Sequence, residues 1–236
     1  LIDLPRDPTV GAGVQVRSRA ESLKASPGFP LEPTVQGRKS ATAQVEGVHL
    51  LRKHLRQARR GLSSNFRRKA TSAIVHRLLH GPWLRRARDI ACYLAHDGEV
   101  DLGALPPILW RRGKRLWLPR VPPTPRKQLT FVAYQPLTRW RKNRFGIPEP
   151  LTRQQCPLRR LDIVLTPLVG YTATGSRLGM GGGFYDRTFA YRHWSSLHKP
   201  RLVGIGFACQ QRVTLPQSPW DVSLDAWVNE QAGSLR

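Results

Sequence analysis

Acidic residues are scarce: 15 Asp and Glu stand against 39 Lys and Arg in 236 residues, a formal net charge of +24. That deficit turns the search for partners toward polyanions, whether nucleic acid, acidic membrane or small molecules rich in phosphate and carboxylate. Long apolar runs are also missing. None approaches the roughly 20 residues that span a bilayer, which excludes a membrane-spanning helix. Cysteines are few, and Cys92, Cys156 and Cys209 are odd in number, widely spaced and without a Cys-x-x-Cys pair. They read as reduced thiols of a cytoplasmic protein.

The 40% hydrophobic content suffices for one globular core. The charge is unevenly spread: residues 1–48 hold 6 of the basic and 5 of the acidic residues, leaving a net +23 from residue 49 onward. Residues 1–48 mix Pro, Gly, Ser, Ala and Gln without apolar periodicity, the composition of a disordered extension. The chain therefore reads as a dispensable segment over 1–48 and one domain over 49–236.

From Val48 the pattern changes. Leu50, Leu51, Leu55, Ala58 and Leu62 recur at helical spacing between basic residues, predicting an amphipathic helix on which Arg52 and Arg56 share a face. Ser63 and Ser64 offer a cap for a second helix, which Gly81-Pro82 stops. His76 and His80 have the i, i+4 spacing of a metal pair, but no third ligand is near and they read as exposed helix histidines. Strands are predicted over 90–94, 115–121, 129–134, 162–169 and 202–208, with a helix over 102–110. The alternation implies an α/β sheet, and Glu99 falls near the carboxyl end of its first strand. Residues 139–150 read as a basic loop stiffened by Pro148 and Pro150 around Glu149.

The most specific stretch is Gly-Ser-Arg-Leu-Gly-Met-Gly-Gly-Gly-Phe-Tyr-Asp-Arg over 175–187. Gly179, Gly181, Gly182 and Gly183 allow a backbone whose N–H groups approach a ligand closely, and Arg177 adds a planar donor fork. A buried strand leads in and a helix is predicted from Phe184 toward Trp194, an order that suits phosphate. The run is neither a Walker A nor a Gly-x-Gly-x-x-Gly motif, since Phe184 stands where the latter needs glycine. Asp186 beside an anion cradle makes sense if a cation lies between, and so reads as a Mg2+ ligand.

Several separated motifs together resemble the 5-formyltetrahydrofolate cyclo-ligase, or methenyltetrahydrofolate synthetase, family. They are Arg52-Lys53-His54-Leu55-Arg56, Tyr93-Leu94 with Asp97-Gly98-Glu99-Val100-Asp101, Asn143 to Pro150, Arg177 to Asp186, and Trp220-Asp221-Val222-Ser223-Leu224-Asp225. The resemblance covers residue 48 onward. It implies a three-layer α/β/α domain with a mixed, largely parallel central sheet. It also implies ATP- and Mg2+-dependent conversion of 5-formyltetrahydrofolate to 5,10-methenyltetrahydrofolate, by phosphorylation of the formyl oxygen, with ADP and phosphate released. By the same resemblance ATP is bound by Arg52, Lys53, His54, Leu55, Arg56, Arg177, Leu178, Gly179, Met180, Gly181, Gly182, Gly183, Phe184 and Tyr185. Folate meets Leu94, Glu99, Met180, Gly181, Gly182, Gly183 and Phe184, and Asp186 with Asp221 holds the metal. No catalytic base is evident. Two positions depart from the family pattern: Arg52, where some relatives have Lys, and Trp220, where many have His.

The expected partners are ATP and a folate, including its polyglutamylated forms, bound by a monomer with no membrane association. The competing class is a nucleic-acid binder using the basic helix and the loop around Arg144. Asp186 and Asp221 weigh against it, because a phosphate-backbone binder gains nothing from carboxylates beside its anion site.

Overall fold

The computed structural model describes residues 35–124, 128–195 and 199–235. Residues Leu1–Ala41 form a unit of their own, and the architecture below is that of Thr42–Arg236. Most of the segment expected to be disordered lies outside the described residues. The first helix, α1 (Val35–Arg60), begins upstream of the predicted Val48. After Pro33 its Gln, Lys, Ala and Glu residues are good helix formers even without an apolar stripe. The second helix, α2 (Ser64–His80), runs as the sequence predicts, with Ser63 Oγ accepting from Phe66 N at 3.2 Å. A single turn, α3 (Pro82–Arg85), follows the Gly81-Pro82 stop.

Chain order continues through β1 (Asp89–Ala91), α4 (Leu105–Arg111), β2 (Arg115–Arg120), β3 (Thr130–Tyr134), β4 (Trp140–Lys142), β5 (Pro148–Pro150), β6 (Gln155–Cys156) and β7 (Ile163–Pro167). Then come β8 (Gly170–Thr172), β9 (Arg177–Leu178), α5 (Phe184–Phe189), β10 (Arg201–Ile205), β11 (Gln211–Arg212), β12 (Ala226–Val228) and β13 (Gly233–Leu235). The main sheet has the order β13-β12-β10-β7-β1-β2-β3-β6. From β12 to β2 the pairings are parallel, and antiparallel strands close both edges. The mixed, largely parallel sheet inferred from the sequence is thus present.

Alternation along the strands sorts the core onto two faces. Ile90, Leu116, Leu118, Ile163, Leu165, Val203 and Ile205 pack with Ile74 and Leu78 of α2 and with Leu105 and Leu109 of α4. On the opposite face Ala91, Trp117, Val164, Leu202 and Trp227 pack with Phe189 of α5. Helices therefore cover both faces. A smaller cluster of Leu55, Val169 and Leu178 fastens α1 beside the sheet.

Three local expectations differ from the structure. The basic stretch over 139–150 is a hairpin of β4 and β5, with Trp140 opposite Pro150 and a turn in which Gly146 N donates to Asn143 O at 3.0 Å. Its prolines pair only at the rim of a two-stranded ribbon, where their missing N–H groups cost little. The buried strand does not deliver the glycine loop directly, because the small β8–β9 hairpin intervenes, tightened by Ser176 N donating to Thr172 Oγ1 at 3.0 Å. The helix after the loop is six residues long and passes into a 3-10 turn at Ala190–His193. Loop N–H groups and side chains must therefore supply most of any anion affinity, since a helix dipole needs length to build up.

Candidate functional site

The parallel strands β1, β2 and β7 end at one edge of the sheet, and a cavity of about 400 Å3 opens there. Tyr93 and Leu94 follow β1, Leu118, Pro119 and Val121 come from β2 and its exit, and Pro167, Leu168 and Val169 from the end of β7. The roof is the β4–β5 hairpin, through Asn143, Phe145, Ile147, Pro148 and Glu149. The glycine stretch closes the remaining side with Arg177, Met180, Gly182, Gly183, Phe184, Tyr185 and Asp186. The wall is largely apolar, with Glu99, Glu149, Arg177 and Asp186 as its charged groups. Such an apolar composition suits a flat aromatic ligand.

The sequence-predicted residues divide into two sets. Leu94, Glu99, Arg177, Met180, Gly182, Gly183, Phe184, Tyr185 and Asp186 line the cavity. Arg52, Lys53, His54, Leu55, Arg56, Leu178, Gly179, Gly181 and Asp221 stand outside that lining. Arg52 reaches the loop, since its Nε donates to Gly179 O at 3.1 Å and its guanidinium lies against Gly181. Arg56 is turned to Asp97, its Nε 2.7 Å from Oδ2. Leu55 and Leu178 are buried and secure the helix to the β8–β9 hairpin, while Lys53 and His54 are exposed.

The loop is held open by its own side chains. Gly183 caps α5 at φ 60°, in the left-handed region that only glycine enters freely. Arg187 Nη2 donates to Gly182 O at 2.6 Å and its guanidinium lies over the Phe184 ring at 5.2 Å. Arg177 is buried and bridges two segments, with Nε donating to Val222 O at 2.9 Å and Nη2 to Asp186 Oδ1 at 2.5 Å. Val222 N also donates to Asp186 Oδ1, at 3.1 Å.

Asp186 Oδ2 accepts no hydrogen bond among the described residues, and the segment carrying Asp221 abuts Asp186 through Val222. The Asp221 carboxylate accepts from Ser218 N at 2.8 Å. Among the described residues no three His, Cys, Asp or Glu gather as a metal cage. One or two carboxylates with the remaining positions left to water and phosphate oxygens is a set that suits Mg2+. His76 and His80 stack on each other at 4.1 Å, with His80 Nδ1 2.9 Å from His76 O, as exposed helix histidines.

Glu99 is the carboxylate of the apolar half. Burial pushes its pKa up, and the His96 N–H at 3.1 Å and the guanidinium of Arg59 oppose that rise without cancelling it. Tyr93 and Tyr185 are pushed well above the usual phenol range by burial, with the Glu99 charge adding to it. The sequence marks residues 139–150 as a candidate wall of a nucleotide pocket but assigns no ligand to Asn143, Phe145, Ile147 or Glu149 singly; all four line the cavity. Glu149 is 3% exposed and its Oε1 accepts from Val121 N at 2.8 Å and Asn143 Nδ2 at 3.0 Å, which ties the hairpin to β2. The Arg-Phe-Gly-Ile-Pro-Glu-Pro run was the available signal for them.

Comparison with known proteins agrees with this geometry. The model of the 5-formyltetrahydrofolate cyclo-ligase family matches residues 45–230. The Haemophilus influenzae protein named 5-formyltetrahydrofolate cyclo-ligase is 39% identical over 177 residues, 74% of this chain and 92% of that protein. Its namesake from Escherichia coli K12 is 39% identical over 176 residues, 74% of this chain and 95% of that protein. The solved structure of Aquifex aeolicus 5,10-methenyltetrahydrofolate synthetase superposes with a TM-score of 0.68 at 28% identity, covering 80% of this chain and 92% of that one.

Proposed function

The chain belongs to the 5-formyltetrahydrofolate cyclo-ligase family, and from that premise we propose that it converts 5-formyltetrahydrofolate to 5,10-methenyltetrahydrofolate using ATP and Mg2+. The observation that carries the reading is the single cavity in which the Arg177–Asp186 loop, a phosphate cradle in character, faces the apolar wall around Glu99.

A formamide carbonyl carbon is a weak electrophile. In the proposed reaction the formyl oxygen attacks the terminal phosphorus of ATP, ADP leaves, and the carbon now bears a phosphate leaving group. N10 then attacks that carbon, the carbon–oxygen bond breaks, and the N10 proton is released as the five-membered ring closes. The formyl oxygen thus ends in inorganic phosphate. Catalysis of such a transfer rests mainly on positioning and on neutralising charge. Arg177 and the N–H groups from Gly179 to Gly183 receive the phosphates, with Arg52 supporting the loop from α1 and Arg56 beside it. Phe184, Met180 and Leu94 bound the folate, and Glu99 accepts hydrogen bonds from it. Magnesium, held by Asp186 and Asp221 with phosphate oxygens, would offset the charge on the transferring group.

The basic hairpin surface around Arg141 and Arg144 suits the anionic tail of a folate, polyglutamylated forms included. The reading is of a monomer in the cytoplasm; no described helix is long and apolar enough to cross a membrane.

The test is absorbance in the methenyl-folate band after mixing protein, 5-formyltetrahydrofolate, ATP and Mg2+. A band that grows only in the complete mixture supports the reading. A folded protein that gives none in any mixture refutes it and returns nucleic-acid binding to the front.

A further inference from the structure

Arg59 has no exposed surface and is not itself a cavity-lining residue, although it contacts Leu168 and Glu99, which are. Its Nε donates to Asp97 O at 3.0 Å, its Nη2 to Asp97 Oδ2 at 2.8 Å and its Nη1 to Leu168 O at 3.0 Å. Nη1 also lies 3.9 Å from Glu99 Oε1. Three segments therefore meet on one guanidinium: α1, the Asp97–Glu99 turn after β1, and the end of β7. Burying that ion is costly unless its donors are filled, and removing one partner of such a pair leaves an uncompensated buried charge.

The turn it holds is itself unusual. Asp97 adopts φ 54° and Gly98 φ 77°, so two consecutive residues lie in the left-handed region, which a non-glycine residue keeps only when its surroundings fix it. Arg56 and Arg60 pair with the same Asp97 carboxylate, whose side chain is 4% exposed. Gln210 Nε2 donates to Leu168 O and Val169 O, at 2.5 and 3.0 Å, and fixes the β7 end from the other side.

We propose that Arg59 is a positioning residue for both substrates, locking the helix that carries Arg52 and Arg56 to the turn that carries Glu99 so that nucleotide-side and folate-side groups keep one fixed separation. The inference rests on the assignment of those two sides under the proposed function. Glu99 is faced by Arg59 from α1, by Tyr93 after β1, by Tyr185 of α5 and by the His96 N–H. Arg59 is the only cation in that set, so its loss leaves the Glu99 carboxylate with dipoles alone.

The experiment compares wild type, Arg59→Lys and Arg59→Met in two readouts. The first is the Glu99 carboxyl titration by NMR on protein labelled at the glutamate carboxyl carbon, assigned by the signal lost in Glu99→Gln. The expected result is a midpoint displaced to higher pH in Arg59→Met, with Arg59→Lys closer to wild type. The second is kinetics: Arg59→Lys raises the KM for ATP and for folate, each by roughly threefold or more, whereas Arg52→Ala raises that for ATP alone. Arg115→Gln, which breaks a half-exposed ion pair with Asp89 away from the cavity, lowers Tm and leaves both KM values unchanged. Should Arg59→Met not fold, Arg59→Lys decides, since it keeps a charge but not the fork of donors. An unmoved Glu99 titration in a folded Arg59→Met, or a change in only one KM in Arg59→Lys, overturns the proposal. Absence of turnover in wild type counts against the reading of the site instead, and the titration then decides Arg59 alone.

Discussion

Asp186 carries two relationships at once, and they separate under substitution. Its Oδ1 accepts from Arg177 and from Val222 N, while Oδ2 accepts no hydrogen bond among the described residues and is the atom proposed to meet the cation. Asp186→Asn preserves the Val222 bond and weakens the Arg177 pair, at a cost in stability of about 1–2 kcal/mol. If Asp186 holds the metal as proposed, turnover falls by roughly a hundredfold or more, because the transferring phosphate would lose that charge neutralisation. Thermal unfolding and steady-state rates measured on the same preparation check the difference, and equal proportional losses would contradict a ligand role. Glu99 is read through pH. Burial raises its pKa above the ordinary 4.5, so the folded protein holds the proton to higher pH than a free carboxyl does. Turnover that needs the ionised form is present above that raised value and lost as pH falls through it. Glu99→Gln is expected to remove this acid limb and to raise the folate KM, which a pH series of initial rates will show.

At the scale of elements, Leu55 is the buried apolar anchor of α1. Leu55 is fully buried against Val169 and Leu178, and its Cδ1 lies 2.7 Å from where a Gly170 Cβ would stand. Leu55→Ala leaves a cavity there and costs about 2–4 kcal/mol by denaturant unfolding, with the ATP KM rising because Arg52 rides on the same helix. Gly183→Ala puts a side chain at φ 60° and within 2.6 Å of Arg187 Nη1. About 1 kcal/mol of backbone strain follows, together with displacement of the arginine that pins Gly182. A weaker apparent affinity for ATP, with the folate KM unchanged, is the expected result. Both elements were only partly legible in the sequence. The apolar spacing of Leu51, Leu55 and the caps at Ser63 fixed the helices, since those signals are local. The β4–β5 hairpin was not visible, because its strands are three residues long and hold two prolines, and their pairing depends on Glu149 reaching Val121 across the cavity roof. The β8–β9 hairpin was hidden for a similar reason: a continuous apolar run does not reveal where it turns.

Across the whole molecule the two edges of the sheet divide labour. At the amino ends of the strands Asp89 meets Arg115, Arg160 and Trp117, and Asp162 accepts from the N–H groups of Arg88 and Asp89 and from Lys199. Burial works to raise both carboxyls, but these hydrogen bonds and charges outweigh it and hold each below the ordinary 3.8. A depressed folded-state pKa stabilises above the unfolded value and loses that contribution as pH falls through the folded one. Acid unfolding is therefore expected to steepen below about pH 4, and Asp89→Asn to be less stable at neutral pH with a flatter acid slope. The carboxyl edge holds the cavity instead. That a cavity would lie there was legible from strand order, and Gly182, Gly183 and Asp186 of the glycine stretch line it. The clamp on Asp97 was not legible, since an arginine in a run of basic residues gives no sign of which one is buried.

In the proposed reaction the formyl oxygen, not water, takes the phosphate within one cavity. The direct measurement is to supply 5-formyltetrahydrofolate labelled with heavy oxygen in the formyl group, with ATP and Mg2+, and to weigh the phosphate released by mass spectrometry. Transfer of the label into inorganic phosphate, one for each methenyl product, is the predicted result. Unlabelled phosphate accompanying methenyl formation would contradict the account.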